Sequence, residues 1–445
     1  MLSSDPPGRV VARTVSPDSE RSPCAPNLRK SAPVSTAASR YDVVISGASF
    51  AGLALARGLA QALGPGLRIA IVDRAVAPVA MGQDARAFAV WAGGKATLDA
   101  LGVWPALAAD AEVMRTIEIS DSAADDGVRA TRLTYDAMTD DGQPAAYIVP
   151  AGKLHQALYQ ALDGADGVSF IAPAEATGLT LGPVSADVAL SDGRVLSAAL
   201  CVAAEGRGSA LRDAAGIKTV GWAYGQSGIV ATIAFAQPHG GVGIQHFLPG
   251  GPFAVLPMTG NRACVTWSTS TENAARLSAL SDDAFVAELD GIIGGRFGAI
   301  TLAGPRGTWP LNVKLARQLT AQRFALIGDA AHGVHPIAGQ GVNLALRDVA
   351  ALVEVLADAA RLGFDLGHAP ALERYARWRR FDSMMSAAMY DGLNQAFRLD
   401  NPILRAGRGA GLGLLDRLPQ VKQWIMSEAA GVTGEVPKLA RGLAV

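Results

Sequence analysis

Cysteine is scarce: Cys24, Cys201 and Cys264 are the only three in 445 residues. They are too few and too scattered for a disulfide framework or a thiolate metal cluster, and they suit a reducing cytoplasm. An excess of one charge sign is missing too. Lys and Arg number 39 against 40 Asp and Glu, a net of −1, which leaves no footprint for a polyanion and argues against a nucleic-acid partner. No uninterrupted run of about eighteen apolar residues occurs, so no segment is expected to span a bilayer. Residues 1–40 lack the apolar stretch of a secretory signal. Rich in Ser, Pro and Arg, they read as a disordered extension; Arg9, Arg13, Arg21 and Arg29 give weak support to organelle targeting, which Asp5, Asp18 and Glu20 oppose. Long internal repeats are absent. Half of the chain is hydrophobic, enough for a sizeable core in two or three folding units.

One stretch organises the rest. Phe324 to Ile327 is a short apolar strand that runs into Gly328-Asp329, a loop with Pro336 and Gly339-Gln340-Gly341, and then a helix. Ala345, Val349, Leu352 and Leu356 fall on one side of that helix, and Arg347, Glu354 and Asp358 on the other. Free amides at Gly341, Val342 and Asn343, with the positive end of the helix dipole, favour a partially negative ligand. Asp329, at the carboxyl end of the strand, can accept hydrogen bonds from a polyhydroxylated chain. A plainer reading has Asp329 and Asn343 capping local turns.

A second nucleotide signal lies near the amino end. Asp42 to Ser46 reads as a buried strand, Gly47 to Gly52 as a tight turn, Leu53 to Leu63 as a helix, and Arg68 to Val72 as a strand ending at Asp73. This is a βαβ unit with its acidic residue where ribose hydroxyls lie. Ser49 stands at the middle glycine position of GxGxxG, small enough to be tolerated, with a hydroxyl that could donate to a phosphate.

The run GDAAH followed by PxxGQGxNxxxxD resembles the second FAD motif of aromatic hydroxylases of the p-hydroxybenzoate hydroxylase type. Gly328, Asp329, His332, Pro336, Gly339, Gln340, Gly341, Asn343 and Asp348 fill every fixed position. Asp84-Ala85-Arg86 and the Leu98 to Trp104 run resemble segments of ubiquinone-biosynthesis hydroxylases. Glu205-Gly206, followed by Ser209 and Arg212, resembles the DGxxSxxR motif with Glu205 in place of aspartate. Phe247-Leu248-Pro249 with Gly251 to Pro257 is similar to the family's substrate ribbon, and Leu412 to Pro419 to its closing segment. Similarity therefore runs from Tyr41 to about Gly431.

The resemblance implies an α/β fold: a Rossmann-like FAD-binding domain from 41–115, 150–215 and 310–395, an antiparallel β-sheet substrate domain from 116–149 and 216–309, and a C-terminal helical segment over 396–445. It implies FAD held by Gly47, Ser49, Gly52, Asp73, Arg86, Glu205, Gly206, Gly328, Asp329, Gly341, Val342 and Asn343, and no metal. The flavin ring is expected beside Pro336, Gly339, Gln340 and Gly341, with its anionic pyrimidine edge at the helix amides. The implied reaction is hydroxylation of a polyprenylated phenol for ubiquinone through a flavin hydroperoxide, with O2 and either transient NAD(P)H or a protein electron donor. No residue stands out as a general base, and His246 reads as structural. Two alternatives stay open, a hydroxylase of a soluble aromatic and a silent flavin-binding scaffold. The cytoplasmic chain is expected to reach a greasy substrate by peripheral contact with the inner face of the membrane, the apolar and basic C-terminal helices serving equally for core packing or for joining a biosynthetic complex.

Overall fold

The computed structural model describes residues 39–76, 84–121, 129–139, 142–336, 339–398 and 402–445. The extension expected over 1–40 lies outside them, apart from Ser39 and Arg40, which already belong to the first strand. Buried β-branched runs build a βαβ unit from β1 (Ser39–Ser46), α1 (Phe50–Leu63) and β2 (Ile69–Val72). β3 (Ala87–Trp91), α2 (Ala92–Ala100) and β4 (Glu112–Met114) follow, then β5 (Thr116–Asp121), β6 (Leu133–Asp136), β7 (Ala146–Pro150) and α3 (Ala151–Gln160). β8 (Val168–Ile171), β9 (Ala176–Leu181), β10 (Ala186–Leu190), β11 (Val195–Ala203) and α4 (Ala210–Ala214) return the chain to the first layer. β12 (Thr219–Phe235), β13 (Val242–Leu248), β14 (Gly251–Met258), β15 (Arg262–Ser270), α5 (Thr271–Ala279), α6 (Asp282–Ile293) and β16 (Ile300–Ala316) form the second. The chain closes with β17 (Thr320–Ala321), β18 (Phe324–Leu326), β19 (His332–Gly333), α7 (Gly341–Arg361), α8 (Ala369–Arg398), α9 (Pro402–Asp416) and α10 (Pro419–Ala430).

The fold is α/β. One sheet runs β17-β18-β11-β1-β2-β8, with β18, β11, β1, β2 and β8 parallel, so their carboxyl ends share one edge. The other main sheet runs β19-β16-β12-β15-β14-β13-β5-β6, and β3-β7-β4 bridges the layers. Register sorts the second sheet into two faces, since directly paired residues point the same way. Ile229, Phe253, Val265 and Trp267 pack with Phe285 and Leu289 of α6. Val230, Met258 and Cys264 turn the other way, onto Ala87, Ala89 and Trp91 of β3.

Several boundaries differ from the sequence reading. Helix α1 begins at Phe50, because Ser49 caps it and places Gly52 inside its first turn. β16 continues to Ala316, across the domain boundary expected at 310, because it pairs with β12 along its whole length and then with β19. The supposedly solvated side of α7 is largely covered. Glu354 is buried and accepts the Lys438 amide at 2.7 Å, and Arg347 pairs with Asp382 of α8 at 2.8 Å. Asp358 alone of the three stays at the surface, paired with Arg374.

Candidate functional site

The carboxyl edge of the parallel sheet gathers residues distant in sequence. Gly47 ends β1, Asp73 ends β2, Glu205 follows β11, and Gly328-Asp329 follow β18. Only β11 separates β1 from β18, so the two glycine turns stand roughly 10 Å apart, two strand spacings. Gly328 packs directly on α1: a Cβ there would lie 3.3 Å from Ala51 Cβ.

The first turn is set by steric fit. Gly47 has φ +109°, and a Cβ on it would sit 2.5 Å from Ala204 O; one on Gly52 would sit 2.0 Å from Gly47 O. No side chain fits either place. Asp73 accepts the Ala48 amide at 2.7 Å and the Ala75 amide at 2.8 Å, which puts its carboxylate at the mouth of the turn. Ser49 donates its hydroxyl to Ala204 O at 3.0 Å and caps Gly52. That hydroxyl is committed to backbone rather than free for a phosphate.

Glu205 is likewise turned to structure. It accepts Ser46 Oγ at 2.6 Å, Ser209 Oγ at 2.5 Å and the Leu211 amide at 3.2 Å, tying β1 to the start of α4. The extra methylene over aspartate lets one carboxylate reach both. Gly206 beside it has φ +83° and open space around its Cα.

The second turn is held by charge. Asp348 of α7 is fully buried, accepting the Gly328 amide at 2.9 Å, His332 Nε2 at 2.6 Å and Arg379 Nε at 2.7 Å. Burial favours its protonated form, but His332 and Arg379 outweigh that and hold it down at about 2. Burial also opposes charge on His332, and Asp348 raises it nonetheless. Arg379 passes the network on to Asp382 of α8. Asp329 projects from this turn, 43% exposed, paired with Arg207 Nε at 3.0 Å, and Arg207 also donates to Val334 O and Asn312 O.

Past exposed Pro336, Gly339 packs against Ala89 and leads into α7. Among the described residues no side chain caps this helix, and a Cβ on Gly341 would meet nothing within 4 Å, so the helix start is open at Gly341, with the Val342 and Asn343 amides next in line. The Val342 side chain is buried. Asn343 serves the scaffold: it accepts the Trp91 amide at 3.0 Å and donates to Ala89 O at 2.8 Å, fixing β3 beside the loop. Gln340 is buried toward α10, donating to Ala429 O at 3.3 Å.

Arg86 is no stray surface charge. Asp84 holds it at 2.6 Å, and its guanidinium lies 5.7 Å from the Phe88 ring and 5.8 Å from that of Trp309 on β16. Burial works against its charge, while Asp84 and then Asp329 raise it. His246, on the face of the second sheet turned away from β3, pairs with Ser120 Oγ at 2.6 Å and stacks on Phe253.

These residues fit an extended dinucleotide: a backbone cradle and carboxylate at one end, an open helix terminus and a second carboxylate at the other. Arg207, Arg379, His335 and Trp309 also belong to this region, and no motif in the sequence marks them. A lone arginine in Arg379-Arg380 carries no sign of burial, although the histidine at 335 within the flavin loop was a usable signal.

A fold and site of this kind define a flavoprotein. The chain belongs to the family described as FAD binding domain, whose model matches residues 40–379, and FAD is its cofactor. It is 36% identical over 407 residues to the ubiquinone hydroxylase UbiL of Rhodospirillum rubrum, covering 90% of this chain and 93% of that protein. It is 32% identical to the 3-demethoxyubiquinol 3-hydroxylase of Escherichia coli, over 88% of this chain and 98% of that one. Its fold matches p-nitrophenol 4-monooxygenase PnpA from Pseudomonas putida at a TM-score of 0.73 and 16% identity, over 89% of this chain and 100% of the other. The resemblance read from the motifs therefore holds, and the chain stands among the FAD-dependent monooxygenases.

Proposed function

We propose that this protein hydroxylates the aromatic ring of a polyprenylated phenol on the route to ubiquinone, using O2. The observation that carries the reading is the meeting of two glycine turns on one sheet edge beneath a sheet face of small and apolar side chains. Gly47, Gly52 and Asp73 take the adenosine end of FAD, and Asp329 with the amides of Gly341, Val342 and Asn343 takes the ribityl chain and ring. Bound FAD supplies the oxygen-activating chemistry. The protein's part is to orient the ring and exclude water, and the half-buried Leu256 and Trp309, on the face of the second sheet turned to β3, are suited to both. The relatives named for ubiquinone chemistry, matched over nearly their whole length, favour this substrate over a soluble aromatic.

A prenyl tail needs access from a bilayer. No helix among the described residues is long and apolar enough to cross a membrane. Helix α8 exposes Phe381, Met384, Met385 and Met389 beside Arg377 and Arg380, and α10 exposes Trp424. An apolar stripe with basic neighbours suits a peripheral contact with an anionic leaflet or with a biosynthetic complex. The reductant in this reading is NAD(P)H in transient contact with the FAD domain, or a protein donor. Lipid extracts of a deletion strain test the substrate: an accumulated prenylphenol that vanishes on complementation is expected, and unchanged quinone lipids overturn the assignment.

A further inference from the structure

Three residues after His332, the same loop carries a histidine in the opposite condition. His335 is 1% exposed, and among the described residues neither of its ring nitrogens has a hydrogen-bond partner. A buried polar group left without a partner costs roughly 1–3 kcal/mol, and native structures keep few of them. The ring packs edge-on against Tyr224 of β12, with centroids 5.2 Å apart. Tyr224 packs in turn on Leu311 and Val313, on the side of β16 that also carries Trp309. His335 thus ends a row that begins at Arg86 and Trp309 and runs along the face turned to the FAD domain.

A polar atom on α8 is unmatched as well: Asn394 donates Nδ2 to Gln226 Oε1 at 3.0 Å, but its own Oδ1 has no partner among the described residues. Burial, helped by the Arg207 charge, holds His335 neutral, with its pKa lowered to about 3. A neutral imidazole offers one donor and one acceptor on nitrogens that face apart, and the acceptor can take the hydrogen bond of a hydroxyl. Pro336, the next residue, begins the stretch that leads to the open amides of α7.

We infer that His335 hydrogen-bonds the hydroxyl of the aromatic substrate and so fixes which ring carbon is presented for oxygenation. This rests on the hydroxylase reading above. No proton is removed in this contact; the hydroxyl donates a hydrogen bond to the unprotonated ring nitrogen, which has no partner among the described residues.

The test titrates oxidised holoprotein with 2-prenylphenol and with its O-methyl ether, following the flavin absorbance. Wild type is expected to bind the phenol about tenfold more tightly than the ether, as one lost hydrogen bond of about 1.4 kcal/mol implies. His335→Phe should erase that preference while flavin content and ether affinity stay unchanged, and His335→Gln should restore part of it. An undiminished preference in His335→Phe overturns the inference. So does loss of flavin from both variants, which assigns the imidazole to the cofactor. A wild-type holoprotein that binds neither compound overturns the hydroxylase reading, and His335 as a substrate contact falls with it.

Discussion

The two turns that meet on the sheet edge are fixed by different physics. At Gly47 the constraint is steric: positive-φ backbone, the Ala204 carbonyl 2.5 Å from any added Cβ, and a helix that starts within three residues. At Gly328 the constraint is electrostatic, through a buried carboxylate on α7 and an arginine on α8. A turn shaped by backbone contact tolerates charge changes and fails on volume. A turn held by buried ions should fail when one of those charges is removed.

The largest expected break is Asp348→Ala. It strands Arg379 and His332 in the core, and removing one member of a buried pair costs about 3–5 kcal/mol. Thermal unfolding should drop steeply, with flavin lost together with the fold. Gly47→Ala should cost about 1–3 kcal/mol from backbone strain alone, and more where Ala204 cannot retreat. Its signature is a flavin-to-protein absorbance ratio that falls further than stability does.

Acid should separate the turns as well. The folded-state pKa of His335 is depressed from 6.5 to about 3, so its neutral form contributes stability that is complete above pH 6.5 and lost as pH falls toward 3. At pH 5 the loss is about 2 kcal/mol relative to pH 7. His335→Gln should flatten that part of the melting-temperature profile, and a profile unchanged by the substitution contradicts it. Asp329→Ala is the mildest break. Its ion pair with Arg207 is partly exposed and worth at most about 1 kcal/mol to the fold. The apoprotein should melt normally while FAD binds about tenfold more weakly, the loss of one good hydrogen-bonding contact of about 1.4 kcal/mol. Unchanged flavin occupancy removes Asp329 from the ribityl contact.

The same contrast explains what could be read from the chain. The Gly47 turn was legible because strand, glycine, helix and Asp73 occur within about thirty residues, and each imposes a local pattern. The α7 stripe was legible, but its charged side was misplaced: Glu354 and Arg347 look solvent-facing until the C-terminal tail and α8 cover them. Ser49 and Glu205 departed from the family pattern in ways that sequence left open. The structure shows both spent on hydrogen bonds within the protein, Ser49 to Ala204 O and Glu205 to Ser46 and Ser209. Arg379 and His335 depend on partners, or on the want of them, that only packing reveals.

In the proposed arrangement both turns grip one FAD, the adenosine end at Gly47 and the ring end at α7. It is tested most directly by the ratio of FMN to FAD dissociation constants, measured by flavin fluorescence in wild type, Gly47→Ala and Asp329→Ala. The preference for FAD should collapse in Gly47→Ala, where only the adenylate contacts are damaged. It should survive in Asp329→Ala, which weakens both flavins alike. Equal shifts of the ratio in the two variants, or none in either, would contradict the arrangement.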